Sequence, residues 1–476
     1  MEKRENGTMI KQYCYDVVVV GGGATGIVAA MAAARSGVKT AIIEYNGFVG
    51  GNVIPGLPLL GYHNGNGQVV VRGIAYEIAT RLQEMGAATE FYLDPITSDV
   101  LGVDPHWFKY LVTKMLQEAG VDFFLHSMLS DTIVEDGTVK GVMIQNKEGS
   151  QMLSAKVVID CSGDGDAAVH AGADYVYGRQ SDRKTQVSTL VFRVRNIDFK
   201  PLMQYFRSNP TQIRPWSLSD EVATQLMDQM ETSEVFVLGG LQQYIEQAVR
   251  DGAAYPRANL VGVCIPKFDQ MIVVSSRVEG VDPNNNRSYS NGEVAGLLQM
   301  KDVFDFMRDY APGFENIQLI DTGHQIGIRE SRHIVGDYLL TGEDLTTSKQ
   351  FDDVIALGGY HIDIHSPDHR GIQSQKVSTY EIPFSCLLPK GLEGMLLAGR
   401  PISATHEAMA STRVIPIQMA QAEATGVAAA MSVQQSKPLR DLSVKELQSR
   451  LIAQGAELGQ GIGRRTFEGA GEGTLH

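Results

Sequence analysis

Cysteine is scarce in this 476-residue chain: Cys14, Cys161, Cys264 and Cys386 each stand more than a hundred positions from the next. No CxxC pair exists, which removes a local zinc knuckle and a redox dithiol, and nothing in the spacing points to a secreted disulfide framework. A reduced, intracellular protein is expected. Long apolar runs are missing too. The polar opening MEKRENGTMIKQYCYD gives way to four valines, Val17 to Val20, before glycines intervene, too short a run for a signal h-region or a membrane span. The chain therefore reads as soluble and cytoplasmic, with no membrane partner. Basic charge is in deficit: 41 Lys and Arg against 55 Asp and Glu leave a formal charge of −14, which opposes a nucleic-acid partner. Hydrophobic residues at 43% and charged ones at 20% are ordinary globular usage, so a disordered or fibrous chain is excluded.

Glycine, by contrast, is plentiful, with 50 residues. Several fall at strand ends. From Tyr15 the chain reads YDVVVVGGGATGIVAAMAAARSGVKTAIIEYNGFVGGN: a buried strand, a glycine turn, an alanine-rich helix and a second apolar strand. Gly21, Gly23 and Gly26 form GxGxxG in the βαβ context that gives the motif meaning. Gly21 permits the tight turn, Gly23 lets a diphosphate approach the backbone, and Gly26 lets helix and strand pack. Ala24 and Thr25 lie in the first helical turn, whose free N–H groups face an anion. Glu44 ends the second strand, where an acid accepts hydrogen bonds from ribose hydroxyls and disfavours a 2′-phosphate. This predicts dinucleotide binding without choosing between NAD and FAD.

Gly50, Gly51 and Asn52 bring a second flexible backbone toward the same strand ends, either as a cofactor strip or as an ordinary loop. Asp104 as N-cap, Pro105 at the first position and Gly120 beyond the end predict a helix. Short runs up to Asp160 predict an antiparallel meander that returns to the parallel sheet. The last ends in Cys161-Ser162-Gly163-Asp164-Gly165-Asp166, a turn that caps a helix or meets the cofactor.

GxGxxG, the acid-terminated strand, GG and the turn VVIDCSGDGDAAVHAGA together resemble the FAD-dependent oxidoreductases of the glutathione-reductase-like superfamily, with fumarate reductase flavoproteins as distant relatives. The stretches PGFENIQLIDTGHQIGIRESRHIVGDYLLTGEDL from Pro312, YHIDIHSP from Tyr360, YEIPFSCLLPKGLEGMLLAGRPIS from Tyr380 and STRVIPIQMAQAEATGVAAA from Ser411 extend the resemblance over about 15–432. It implies FAD as cofactor and an α/β fold: a Rossmann-like FAD-binding domain with parallel sheet and β-meander, interrupted by an α+β substrate domain. The expected division is a tail over 1–14, FAD-binding domain over 15–175, substrate domain over 176–385, returning FAD-binding segment over 386–440 and a second tail over 441–476. The resemblance further implies that Leu129 offers its backbone to the adenine and that Ser162, Gly163 and Asp164 line the ADP portion. Gly399 and Arg400 end the returning strand. Ile415 and Pro416 open a helix that either points its positive end at the flavin or simply packs.

In the inserted region DPNNNRSYSNGE reads as a turn and Glu293 to about Tyr310 as a helix. In a strand, His361, Asp363 and His365 share one face. A carboxylate beside two imidazoles orients a ring and tunes its pKa toward neutrality, which suits proton transfer, with a solvated strand face as the plainer reading. Three such groups are too few to claim a metal. Arg329 and Arg332, three apart in a helical turn, either clamp an oxygen-rich substrate or join Glu330 in an ion-pair network. Tyr380 is a phenol donor or a buried hydrogen-bonded tyrosine. The function expected is hydride transfer between a small organic substrate and flavin N5, with His365 as acid or base. Direction, electron donor or acceptor, and self-association are left open. The alternatives are a flavin monooxygenase and a flavoprotein subunit in RNA modification or assembly.

Overall fold

The computed structural model describes residues 3–5, 8–94, 97–213, 220–368 and 372–459. Val17–Val20, the run of valines, is buried on both faces, as a parallel strand covered by helices must be. It sits at the centre of a five-stranded parallel sheet in the order Met395–Leu397, Val157–Asp160, Val17–Val20, Thr40–Ile43, Asp122–Phe124. The register sets Val157 opposite Val17, and Val17 opposite Thr40, so the strand ends at Asp160, Val20 and Ile43 fall level. That alignment places the glycine turn, Glu44 and the Ser162 turn along one edge. Asp122–Phe124, expected in the meander, instead closes the parallel sheet.

The helix Ala24–Arg35 and the returning helix Ile415–Gln435 lie against each other on one face of this sheet. Their small side chains have a physical reason: a Cβ added at Gly426 would stand 2.4 Å from the carbonyl of Ala29 and 2.6 Å from the Ala32 methyl. The predicted helix after Asp104 spans Pro105–Glu118, and the Asp104 carboxylate accepts from the amides of His106 and Trp107 at 2.8 and 3.1 Å.

The expected amino-terminal tail is not one. Thr8–Cys14 forms a parallel pair with Gly149–Ser154 and, with Lys3–Glu5 on its other side, widens the meander of Thr138–Asn146 and Met128–Glu135 to a five-stranded sheet. The expected second tail contains the helix Val444–Ala453, whose Leu447 and Leu451 are buried and whose Gln448 donates to the carbonyls of Asp352 and Val354. The glycine-rich stretch from 460 on lies outside the described residues.

A second hydrophobic core gathers residues between Leu190 and Ile328 around a five-stranded antiparallel sheet. The helix Asn286–Tyr310 covers it, and begins inside the segment read as a turn, because Asn285 caps it and Gly292 packs onto Val281. Residues from Ile334 through Leu388 belong to the first core instead. The sequence-based boundary at 385 therefore shifts about fifty residues earlier. Val354–Gly358 pairs with Tyr380–Pro383, and all of its residues are buried.

Glu423, inside the returning helix, accepts from the Ile74 amide at 2.8 Å and so caps the helix Gly73–Glu84, whose own N-cap position supplies no side-chain bond. Burial raises its pKa from 4.5 to about 7, outweighing that hydrogen bond. The folded state then holds the proton more tightly than the unfolded one. Stability is complete below pH 4.5 and falls as pH rises toward 7, by about 3 kcal/mol. Glu423→Gln is expected to flatten that slope and to raise the unfolding midpoint above pH 7, as followed by thermal melts across pH.

Candidate active site

The three glycines of the turn differ in what surrounds them. A Cβ on Gly21 would stand 2.4 Å from the Cys161 carbonyl oxygen, and one on Gly26 would stand 1.8 Å from the Gly21 carbonyl oxygen, so both glycines close onto protein. Gly23 differs: nothing lies within 4 Å of the position its Cβ would take. The space above it is open, and the helix that starts there has no side-chain cap on its first amides. The returning helix at Ile415 likewise has Val414 at its N-cap position with no capping side chain, and Pro416 in its first turn. Two uncapped helix ends and one open glycine fit a dinucleotide.

Around this cradle the expected residues hold one another in place. The Glu44 carboxylate accepts from the Gly22 amide at 2.8 Å and from the backbone and side-chain nitrogens of Asn46 at 2.8 and 2.9 Å. A carboxylate offers about four lone-pair positions, so about one is left for a sugar hydroxyl. Burial raises the Glu44 pKa despite these bonds. The Gly50 amide donates to the Gly22 carbonyl at 2.8 Å, and a Cβ on Gly51 would meet the Gly23 Cα at 2.8 Å, so the GG loop folds over the turn with Asn52 half-buried behind it. Leu129 is half-buried at the start of its strand, two residues past Ser127, whose amide bonds to the Glu44 carbonyl. Gly399 packs over Thr25, beside the buried Ala24.

The second turn is organised by Asp160, which the sequence did not single out. Its carboxylate accepts from the Ser162 amide and hydroxyl at 3.0 and 2.7 Å and from the Ala168 amide at 2.9 Å. Asp164 pairs with Arg400 at 3.0 Å, directly over Gly163. Arg332 donates to the Asp164 carbonyl at 2.7 Å and pairs with Asp166. Arg332 therefore braces the turn of Asp164 and Asp166, where the sequence reading had it either beside Arg329 on a substrate or in an ion-pair network with Glu330. The helical turn expected there is absent: residues 328–331 lie in no helix, and Arg332–Ile334 is a strand. Glu330 joins neither arginine. It is 1% exposed and accepts from His333 Nε2 at 2.9 Å and His406 Nδ1 at 2.8 Å.

Ile362–Ile364 is the strand read from YHIDIHSP, and its polar face is buried rather than solvated: His361, Asp363 and His365 are each under a tenth exposed. His365 Nε2 lies 3.1 Å from the Asp363 carboxylate, and Arg413, two residues before the returning helix, reaches that carboxylate at 3.2 Å. Asp363 is held well below the usual carboxylate range: burial pushes it up, but His365 and Arg413 outweigh that. His365 is not tuned toward neutrality. Burial and then the Arg329 charge drive its pKa down to about 3, against the opposing pull of Asp363. Arg329 donates to the Val187 carbonyl at 2.6 Å and the Thr189 hydroxyl at 2.7 Å, and burial with its fellow arginines lowers it to about 9.

Tyr380 is fully internal. Its hydroxyl sits 2.7 Å from Ser411 Oγ, which itself donates to the Tyr360 carbonyl, so the phenol proton goes to Ser411, and burial raises its pKa. It supports the strand and is not positioned as a proton donor to a substrate. Arg413 gave no signal in the sequence, because its partner Asp363 lies fifty residues away. Glu330 was read with the flanking arginines, whereas its partners are His333, three residues on, and the distant His406.

A family model described as FAD dependent oxidoreductase matches residues 16–451. The chain belongs to this family. It is an oxidoreductase, and FAD is its cofactor. A stretch of 163 residues is 31% identical to a thiamine thiazole synthase of Methanococcus maripaludis, covering 33% of this chain and 58% of the relative. The chain thus spans a little over half the length of that relative. Among solved structures, a myxobacterial chondrochloren halogenase is 14% identical with a TM-score of 0.44, covering 92% of this chain and 78% of that one. A p-nitrophenol 4-monooxygenase of Pseudomonas putida is 12% identical with a TM-score of 0.44, covering 94% of this chain and 85% of that one. No helix among the described residues of this FAD dependent oxidoreductase is long and apolar enough to cross a membrane.

Proposed function

We propose that this FAD dependent oxidoreductase exchanges a hydride with a small organic substrate and that His365 accepts the accompanying proton. FAD, when bound, supplies the two-electron chemistry. The observation that carries the reading is the hydrogen bonding of one ring. His365 Nε2 faces the Asp363 carboxylate, so that nitrogen bears the proton, while Nδ1 is buried with no partner among the described residues and keeps its lone pair. Asp363 fixes the tautomer, and Arg413 fixes Asp363. Burial, and after it the Arg329 charge, keeps the imidazole neutral, so its role is that of a base, where the sequence reading left acid and base open.

The test is anaerobic bleaching of the holoenzyme with panels of hydroxy acids, polyols and sugars. His365→Ala is expected to keep its FAD and to slow bleaching by about 10²- to 10⁴-fold with the substrate that reduces wild type. Unchanged bleaching by the variant would remove His365 from the reaction. The pH dependence has a definite sign. Burial, Arg329 and Arg257 favour the neutral ring and Asp363 opposes them, so the free enzyme keeps its base as pH falls through the ordinary imidazole value of 6.5. The acid limb of kcat/KM for substrate oxidation is therefore expected well below pH 6.5, which a steady-state pH profile measures.

A further inference from the structure

The net charge of −14 makes one interior feature unusual: four guanidinium groups, on Arg257, Arg277, Arg329 and Arg413, converge on the neighbourhood of Asp363. Arg413 touches that carboxylate, and Arg277 reaches the Ser366 carbonyl at 2.8 Å and the exposed Glu279 at 3.1 Å. Arg329 donates to neutral acceptors, the Val187 carbonyl and the Thr189 hydroxyl. Arg257 is 3% exposed, and its hydrogen bond to the Val274 carbonyl is a long one of 3.3 Å. Burying a guanidinium without a counter-charge is costly.

Unsatisfied atoms lie on two of these arginines and on a glutamine bonded to His365. Arg257 Nε, Arg413 Nε and Gln186 Nε2 are buried donors with no acceptor among the described residues. Gln186 is tied to the site by its side-chain oxygen, which accepts from the His365 amide at 3.0 Å. Buried polar groups are nearly always paired, so a concentration of orphan donors among cations marks the place of a missing acceptor that carries negative charge. Planar guanidinium forks match a carboxylate. The diphosphate is provided for separately, at Gly23.

We propose that Arg257, Arg413 and Gln186 hold a carboxylate group of the substrate beside His365, so that the enzyme acts on an organic acid. This inference rests on the reading of His365 and Asp363 as the reacting centre. The ligand's negative charge offsets the arginines, and its second end faces the free Nδ1 of His365.

The experiment titrates FAD-loaded enzyme with glycolate, lactate, malonate and succinate, with the neutral amides glycolamide, lactamide and malonamide, and with inorganic phosphate. Flavin absorbance and calorimetry are the readouts. At least one carboxylate is expected to bind about 30-fold or more tightly than its amide, and Arg257→Gln is expected to lose about 30-fold or more of that affinity. Binding of no carboxylate, equal binding of acids and amides, binding of phosphate alone, or full affinity in Arg257→Gln would each overturn the proposal. Should Arg257→Gln fail to load FAD, the acid-to-amide comparison in wild type still decides, with Arg257→Lys as the second variant, expected to lose affinity because the planar fork is gone. His365→Ala separates the two readings: it is expected to bind the carboxylate and to bleach about 10²- to 10⁴-fold more slowly. If it bleaches normally while acids still outbind amides, the proton role falls and the carboxylate site stands.

Discussion

Gly23→Ala is expected to leave the apo-protein folded, within about 1 kcal/mol of wild type, while FAD affinity falls at least about tenfold. The backbone at Gly23 has φ −67° and ψ −179°, which any residue adopts, and its Cβ would meet no protein atom. The added methyl occupies only the space reserved for the diphosphate. Gly26→Ala is the contrasting case. Its methyl would lie 1.8 Å from a backbone oxygen that no side-chain movement can relieve. That substitution is expected to destabilise the apo-fold itself by about 3 kcal/mol or more, together with cofactor loss. Apo-protein melts and FAD content by absorbance distinguish the two. Wild-type FAD affinity in Gly23→Ala would remove the diphosphate from this turn.

Glu330→Gln is expected to destabilise the protein by about 3 kcal/mol near neutral pH and to alter its acid unfolding. Burial pushes the Glu330 pKa up, but hydrogen bonds from His333 and His406 outweigh it and bring the value from 4.5 down to about 2. A carboxylate held below its unfolded value contributes stability above pH 4.5 and loses it as pH falls toward 2. The amide that replaces this carboxylate has no such titration. Wild type should therefore lose stability across that interval, while the variant starts lower and changes less. Glu330 also accepts from the Gln186 amide at 2.9 Å, so the variant is expected to loosen the segment that carries Gln186 beside His365. Melting curves at pH 2.5 to 8 follow the first effect. Equal slopes for wild type and variant below pH 4.5 would deny Glu330 its part in acid stability.

Features that depend on neighbours in sequence were readable. The valine strand, the three glycines, the helix after Asp104 and the face shared by His361, Asp363 and His365 each rest on a local period, a backbone conformation or a cap. Arg329 and Arg332 show where that reasoning stopped. Their three-residue spacing matched a helical turn, yet no helix forms there, and the first faces Val187 and Thr189 while the second faces Asp164 and Asp166. The strand Thr8–Cys14 and the helix Val444–Ala453 were read as tails because short polar segments acquire their structure from the surfaces they pack against.

Amino-acid order alone was enough for the glycine turn and the αβ class, because one strand–turn–helix–strand unit of about thirty residues contains its own steric and hydrogen-bonding requirements. Which charges surround His365 was left to long-range packing. Arg257, Arg329 and Arg413 come from three separate segments, and their joint field exists only once two hydrophobic cores bring those segments together and exclude water from between them.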